Sequence, residues 1–450
     1  MRLAVDCSTV STPIRPRGRW LPPSLFDGGI PGLWLDARVP GVLFQDVAAT
    51  LPVSAYGQPV GLLRDVSGNG NDAFQSVSAR RPTFSRHPAS GPRNLLLHSN
   101  RFDLSPWTSI WDRAPDAGPA PDSSNSATLV TTTGAGQLIQ PFLAGQASGY
   151  TYSIHVKAGN AATPSTSFVI RNLSTATNSV FATLTWSTMT LSVSSGAATI
   201  APVGNGWFRM TLTATSGYAA GHTLAAYAGS AAAAGLTYWL WGAQVEAGTT
   251  ATPLQAVTVA SDMTEPGQPD VPHLLFDGVD DRLETAPVDF GSSGTLSAVT
   301  AVRSEATGIL VEAGPNAALA DGGFALLHGG AATNDVTFVA RTTLERERVS
   351  IPPIPGSDRP LSMVASAVAD PTGSPRTALW VNDMVGQIRD GTLQPGTFGL
   401  NAIWIGARAD GSAPFRGRFY GAYLAGRGLT VPQRLRVVRH FKRAMEGLNQ

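Results

Sequence analysis

Four oxygen-bearing side chains, Asp65, Asn69, Asn71 and Asp72, fall within the string Asp65-Val66-Ser67-Gly68-Asn69-Gly70-Asn71-Asp72. Carboxylate and amide oxygens are the donors that calcium prefers, so this stretch is a candidate calcium site, although it lacks the spacing and bidentate Glu of an EF-hand. The same string reads as a tight turn, because Asn-Gly tolerates positive φ and Asx side chains bond to their own backbone. At the level of sequence both readings stand. Asp277, Asp280 and Asp281 bracket a second bend and offer either further oxygen ligands or a charged hairpin corner.

Aromatic rings are the other chemistry-bearing group. The apolar CH face of a sugar can stack on a π-face, and Trp107, Trp111, Trp207 and Tyr218 are the candidate platform. Their alternative is the core, where most tryptophans of a β-sandwich lie. Hydrolysis of a glycosidic bond needs two carboxylates flanking it. The nearest pair is Glu345 and Glu347, which share one face of an extended segment but alternate with Arg346 and Arg348, a pattern of a charged strand edge. The histidines are scattered, and no Ser, His and Asp set stands out. His328-Gly329-Gly330 opens no helix, so it makes no phosphate cradle.

The elements that position these groups are strands. Charged residues make up 14% of the 450-residue chain, against about a quarter in an average soluble domain, and 48 glycines with 33 prolines favour short strands and many turns. A length of 450 residues calls for two or three units. A net charge of +1 supplies no field for nucleic acid or an anionic membrane. The single Cys7 permits no internal disulfide and no thiolate zinc cluster. The first thirty residues have no signal-peptide core and no stretch is long enough to span a bilayer, so the expectation is a soluble protein made in the cytoplasm.

Alternation locates individual strands. Tyr152, Ile154 and Val156 oppose Ser153, His155 and Lys157, and Phe208, Met210 and Leu212 oppose Arg209 and Thr211. Tyr238-Trp239-Leu240-Trp241 is apolar on both faces, as in a strand covered on each side. A helix is expected near the C-terminus: Thr430 and Gln433 have capping-box spacing, Pro432 sits in the first turn, and Leu435, Val438, Phe441 and Met445 form a stripe. Its arginines and Lys442 make a solvated face or a basic patch. Residues 1–26, rich in Pro and Arg, form either an anchoring arm or a frayed terminus.

Trp34-Leu35-Asp36, the Asp65–Asn71 turn, Phe276-Asp277-Gly278-Val279-Asp280-Asp281 and Phe419-Tyr420-Gly421-Ala422 with Leu429-Thr430 resemble, in order, the marks of a concanavalin A-like, laminin G-like sandwich found in phage and bacterial surface proteins. In that family the turn is followed closely by the Phe-Asp-Gly strand. Here roughly two hundred residues intervene, more than a loop needs. The intervening text, with Asn94-Leu95-Leu96, Ser99, Trp107 and Ala243-Gln244-Val245-Glu246-Ala247-Gly248, is similar to a jelly-roll, carbohydrate-binding-like module of phage tail proteins.

The expected architecture is therefore all-β: a concanavalin A-like sandwich interrupted by an inserted jelly roll, with a short C-terminal helix. The divisions are a 1–26 arm, a discontinuous sandwich over 27–90 and 268–450, and an insert over 91–267. The resemblance implies a non-enzymatic virion component of a tailed phage or phage-like particle, such as a tail fibre, spike or receptor-binding protein. Its partners would be other virion proteins and bacterial surface glycans, with calcium as the one cofactor in view and a homo-oligomer as the assembly. A head or tail decoration protein and a polysaccharide depolymerase acting through Glu345 or Glu347 are the alternatives.

Overall fold

The computed structural model describes residues 22–145, 149–160, 165–317, 319, 321–329, 335–342, 346–351, 361–370, 376–382, 384–390 and 396–446. Cys7, most of the N-terminal arm and Glu345 lie outside them. The fold is a β-sandwich interrupted by a second β-sandwich, with one helix, Val431–Glu446, at the C-terminal end.

The outer sandwich packs a ten-stranded sheet on a nine-stranded one. Both draw strands from before residue 90 and after residue 255. The ten-stranded sheet closes where Thr83–Pro88 pairs antiparallel with Asp270–Asp277, from Thr83↔Leu275 to Pro88↔Asp270. Arg416–Ala425 is its hub. One edge carries Leu296–Ser304, and the other carries Asp270–Asp277 followed by Gly32–Asp36. Between the sheets lies a continuous core that includes Leu33, Leu35, Phe276, Phe324, Phe338, Met363 and Phe419.

The inner sandwich packs a five-stranded sheet on a six-stranded one, with every strand drawn from residues 112–247. The alternation works as expected in Tyr150–Ala158: Tyr152, Ile154 and Val156 enter the core, beside Met210 and Leu212 of the neighbouring strand. Tyr238 and Leu240 enter the same core, while Trp239 and Trp241 turn outward to pack with Trp207 and Ala127. Strand Ala256–Val259 pairs with Asp262–Thr264, which in turn pairs with Thr83–Pro88, so both extend the outer sheet and not the inner sandwich.

The residues that mark the start and end of the inner sandwich bond to one another. The Asn94 side chain donates to Ser99, Ala243 and Gln255 and accepts from the Leu96 and Val245 amides. Gln244 accepts from the Gln255 amide, and Arg93 reaches Glu246 at 3.2 Å and Glu265 at 2.9 Å. A buried polar group needs its partners, and here those partners are supplied by both crossings of the chain.

The helix covers the free face of the ten-stranded sheet. Thr430 and Gln433 form a reciprocal capping box, with Thr430 N–H donating to Gln433 Oε1 at 3.0 Å and Gln433 N–H to Thr430 Oγ1 at 3.4 Å. Val437, Val438 and Phe441 pack with Trp34, Tyr420 and Tyr423. Phe441 stacks on Trp34 at 5.3 Å and lies over Gly421, where a Cβ would approach its ring to 2.5 Å. Asp36, buried beneath, accepts from Arg38 at 2.7 Å and from His440 at 2.8 Å. Burial raises its carboxyl, but these partners outweigh burial and hold it below the usual range. Leu25 and Phe26 join the same cluster, so the chain just past the undescribed arm is tied down.

Because Phe441 is fully buried against Trp34, Phe441→Ala should destabilise the protein by about 3–5 kcal/mol. A fall in the urea midpoint without a change in slope checks this, and an unchanged midpoint would mean that the helix does not hold the sheet.

Candidate functional site

The Asp65 loop is built as a turn. Asp65 Oδ1 accepts from the amides of Trp34 and Ser67, and Oδ2 accepts from Ser67 Oγ and the Asn71 amide. Asp72 Oδ1 accepts from the Asp65 amide. Asn69 and Asn71 turn their NH2 groups onto the Gly32 carbonyl, at 2.9 and 2.8 Å, and Gly68 and Gly70 take the positive φ values that the turn needs. The four side chains do come together, but the Asp65 carboxylate is already satisfied by its own loop and by Trp34. This geometry pins Gly32–Asp36.

Among the described residues, oxygens converge instead at Asp277, Asp280 and Asp281, all within 4.8 Å of one another. Asp277 Oδ1 accepts from the Val279 amide, Asp281 Oδ2 accepts from the Asp277 amide, and Asp280 lies 3.6 Å from Arg80. Burial pushes the Asp281 carboxyl up to about 7, with the neighbouring carboxylates adding to the rise against that one amide. These internal bonds fit a charged corner.

The expected aromatic platform is not at the surface. Trp107, Trp111 and Trp207 are 2%, 3% and 1% exposed. Each donates its indole N–H to a backbone carbonyl, of His98, Gly134 and Pro119 respectively. Tyr218 is half-buried, set against Tyr150 at 5.3 Å with its hydroxyl on the Ala214 carbonyl. The three tryptophan rings are taken up by packing, while Tyr218 stays partly exposed. Glu347 lies in strand Arg346–Ile351, and Glu345 is outside the described residues. Ser304 and His328, which sequence reading left apart, meet at 2.6 Å. They are 0% and 1% exposed, so the pair has no access for a substrate.

The concave feature lies elsewhere, between the C-terminal helix and the free face of the ten-stranded sheet. It is a cleft of about 410 Å³, within the range of small-ligand sites. Ser297, Ser366 and Trp380 project into it from three adjacent strands, with Asp370 at one end and Arg434 coming from the helix. The Arg434 guanidinium stacks over the Trp380 ring at 4.3 Å and donates to Ser366 Oγ at 3.3 Å. Asp370 accepts from Thr295 Oγ1, and Ser297 Oγ accepts from the Leu429 amide. A ring, a carboxylate and a guanidinium thus share this surface, and Ser297 and Ser366, both buried, form its floor. This set can hold a polyhydroxylated ligand through CH contacts and hydrogen bonds. The described lining holds one carboxylate, so it contains no pair for glycoside hydrolysis.

Two buried histidines sit beside the point where the chain leaves and re-enters the outer sheet. His87 Nε2 lies 2.6 Å from the Tyr420 hydroxyl, and the His87 and His273 rings are 5.1 Å apart. Burial lowers both, His87 to about 3, and the Arg418 and Arg303 charges add to the fall. Both rings are therefore neutral in the folded protein.

Two outcomes follow. Above pH ~6.5 neither the folded nor the unfolded histidines bind protons, so the pair adds no pH dependence. Below it the unfolded chain takes protons that the fold refuses, and stability should fall by up to about 1.4 kcal/mol per pH unit per histidine. Urea midpoints between pH 7.5 and 5 should drop accordingly, and His273→Phe should flatten the slope. Trp207→Ala should cost about 3–5 kcal/mol in the same assay. It should leave ligand binding by the folded protein intact, whereas a direct ligand contact would show the reverse.

No family model matches the sequence, and no curated protein matches it. Among solved structures, the sialidase CBM40 of Ruminococcus gnavus bound to α2,3-sialyllactose is 15% identical, covering 34% of this chain and 97% of its own with a TM-score of 0.27. Domains LG4-5 of the mouse laminin α1 chain are 10% identical over 69% and 88%, with a TM-score of 0.28. The tandem CBM22 domains of Paenibacillus barcinonensis Xyn10C are 12% identical over 74% and 95%, with a TM-score of 0.22. At such scores the strand order of the chain itself, and not these likenesses, carries the fold.

Proposed function

We propose that the chain is a glycan-binding structural component of a tailed phage or phage-like particle, a receptor-binding or adhesion protein and not an enzyme. The observation that carries the glycan-binding part is the cleft, where Trp380, Arg434, Asp370, Ser297 and Ser366 line one concave surface. The chemistry suits a sugar: its CH face lies along the aromatic wall, and its hydroxyls bond to the carboxylate and the guanidinium. The particle, its other virion proteins and a homo-oligomeric state enter through the sequence resemblance.

Co-sedimentation with bacterial cells, run in calcium and in chelator, tests the reading. Saturable binding is expected, and Trp380→Ala should weaken it roughly tenfold, the equivalent of about 1.4 kcal/mol. Loss of binding in chelator would add calcium to the mechanism. Absence of binding to any cell or polysaccharide would sink the adhesion reading, and antibody labelling of assembled particles would then test a decoration role.

A further inference from the structure

Directly opposed residues on neighbouring strands share one face of a sheet. In the nine-stranded sheet a single rung runs Phe44↔Leu62↔Phe74↔Glu284↔Trp404↔Glu312. The alternate positions Leu43, Leu63, Ala73, Leu283, Ile405 and Val311 belong to the core. The rung therefore faces away from it, on the opposite side of the sandwich from the helix and its cleft. Glu312 is 0% exposed, with Arg408 3.5 Å away, so the open part of the rung ends at Trp404.

An aromatic ring stands on every second strand of that rung. Phe44, Phe74 and Trp404 are each half-exposed. With strands about 4.8 Å apart, successive rings are roughly 10 Å apart and the three span about 20 Å. The Arg64 guanidinium lies 4.8 Å from the centre of the Phe44 ring, and that of Arg282 lies 5.9 Å from Trp404. Neither arginine has an ion-pair partner within 4 Å among the described residues. Glu284 sits between Phe74 and Trp404, its carboxyl raised by burial against the pull of Arg282.

We propose that this rung is a linear track for an extended, acid-bearing polysaccharide. Sugar rings lie against Phe44, Phe74 and Trp404, and carboxylate or sulfate groups pair with Arg64 and Arg282. A β-strand peptide repeats its side chains on one face every ~6.7 Å and falls out of step with the rings. A polyproline helix, with a repeat of about 9.3 Å, keeps step but brings no charge for the two guanidiniums. Charge complementarity thus selects the acidic glycan. The inference rests on the glycan-binding reading but uses none of the cleft residues.

Affinity electrophoresis of the full chain through gels containing alginate, hyaluronan or neutral dextran tests it, with a polyproline peptide titrated separately. Retardation by the acidic polymers and not by dextran is expected, weakening as salt rises. Trp404→Ala and the double variant Arg64→Ala/Arg282→Ala should each weaken it roughly tenfold or more. Leu143→Ala, at an exposed side chain of the inner sandwich outside both the track and the cleft, should leave it unchanged. The arginine variants change exposed or half-exposed side chains, and an unaltered thermal midpoint confirms that they fold. Wild-type retardation of the arginine variant, equal retardation by dextran, or binding of polyproline instead would overturn the track. If Trp380→Ala alone abolished polysaccharide binding, the track would fall while the glycan reading stood. If no glycan bound the wild type here or in co-sedimentation, both would fall.

Discussion

The antiparallel pairing of Thr83–Pro88 with Asp270–Asp277 is the constraint on which the rest of the molecule depends. It brings together segments separated by the whole inner sandwich, and without it neither outer sheet has its full set of strands. Loop-closure entropy grows only slowly with length, so a long excursion costs little more than a moderate one. What matters is that the excursion's two ends meet. They do so through Arg93, Glu246, Gln255 and Glu265, polar side chains held in a mostly buried cluster that joins the base of the inner sandwich to the outer sheet. The buried His87 and His273 lie on the two strands so paired, and Tyr420 lies on the next strand, Arg416–Ala425.

The second dependence runs through Gly32–Asp36. Its Trp34 amide is fixed by Asp65, its Gly32 carbonyl by Asn69 and Asn71, and its Asp36 carboxylate by Arg38 and His440. The loop that offered itself as a metal site therefore does mechanical work, because one carboxylate satisfying three amides and a hydroxyl orders two chain segments at once. The helix then docks on the strand so fixed, with Val437, Val438 and Phe441 buried and Val431 and Arg434 of its first turn lining the cleft beside Trp380. Position of the binding surface and stability of the sheet are thus coupled through one short strand.

Much of this was legible in the residues. Period-two alternation located the inner core at Tyr152, Ile154, Val156, Met210 and Leu212, and the capping box located the helix. The oxygen donors of the Asp65 loop were legible as a group, but their direction was not, since hydrogen-bond partners such as the Trp34 amide come from another segment. The tryptophans were legible as large apolar groups, and their burial follows from the area they remove from water. The aromatic rung was not legible at all: Leu43–Phe44, Leu62–Leu63 and Ala73–Phe74 are two-residue strands, too short to display alternation. Nor was the cleft, because Trp380 and Arg434 meet only after a strand and a helix have docked.

Basic charge in this chain is almost wholly arginine, a bias that by itself says nothing of function. The fold nevertheless gives it a use. Arg64, Arg86, Arg282 and Arg434 each lie over an aromatic ring, those of Phe44, Tyr56, Trp404 and Trp380. A planar guanidinium can stack on a ring and still direct its edge N–H groups outward, whereas an ammonium has no plane to stack and is more strongly hydrated. Where that edge is already committed, as in Arg86 with Asp262 and Asp270, the stack only braces the sheet. Where it is not, as at Arg64, the same stack places fixed donors beside an exposed ring. Low overall charge makes such local arrangements matter more, since no long-range field competes with them.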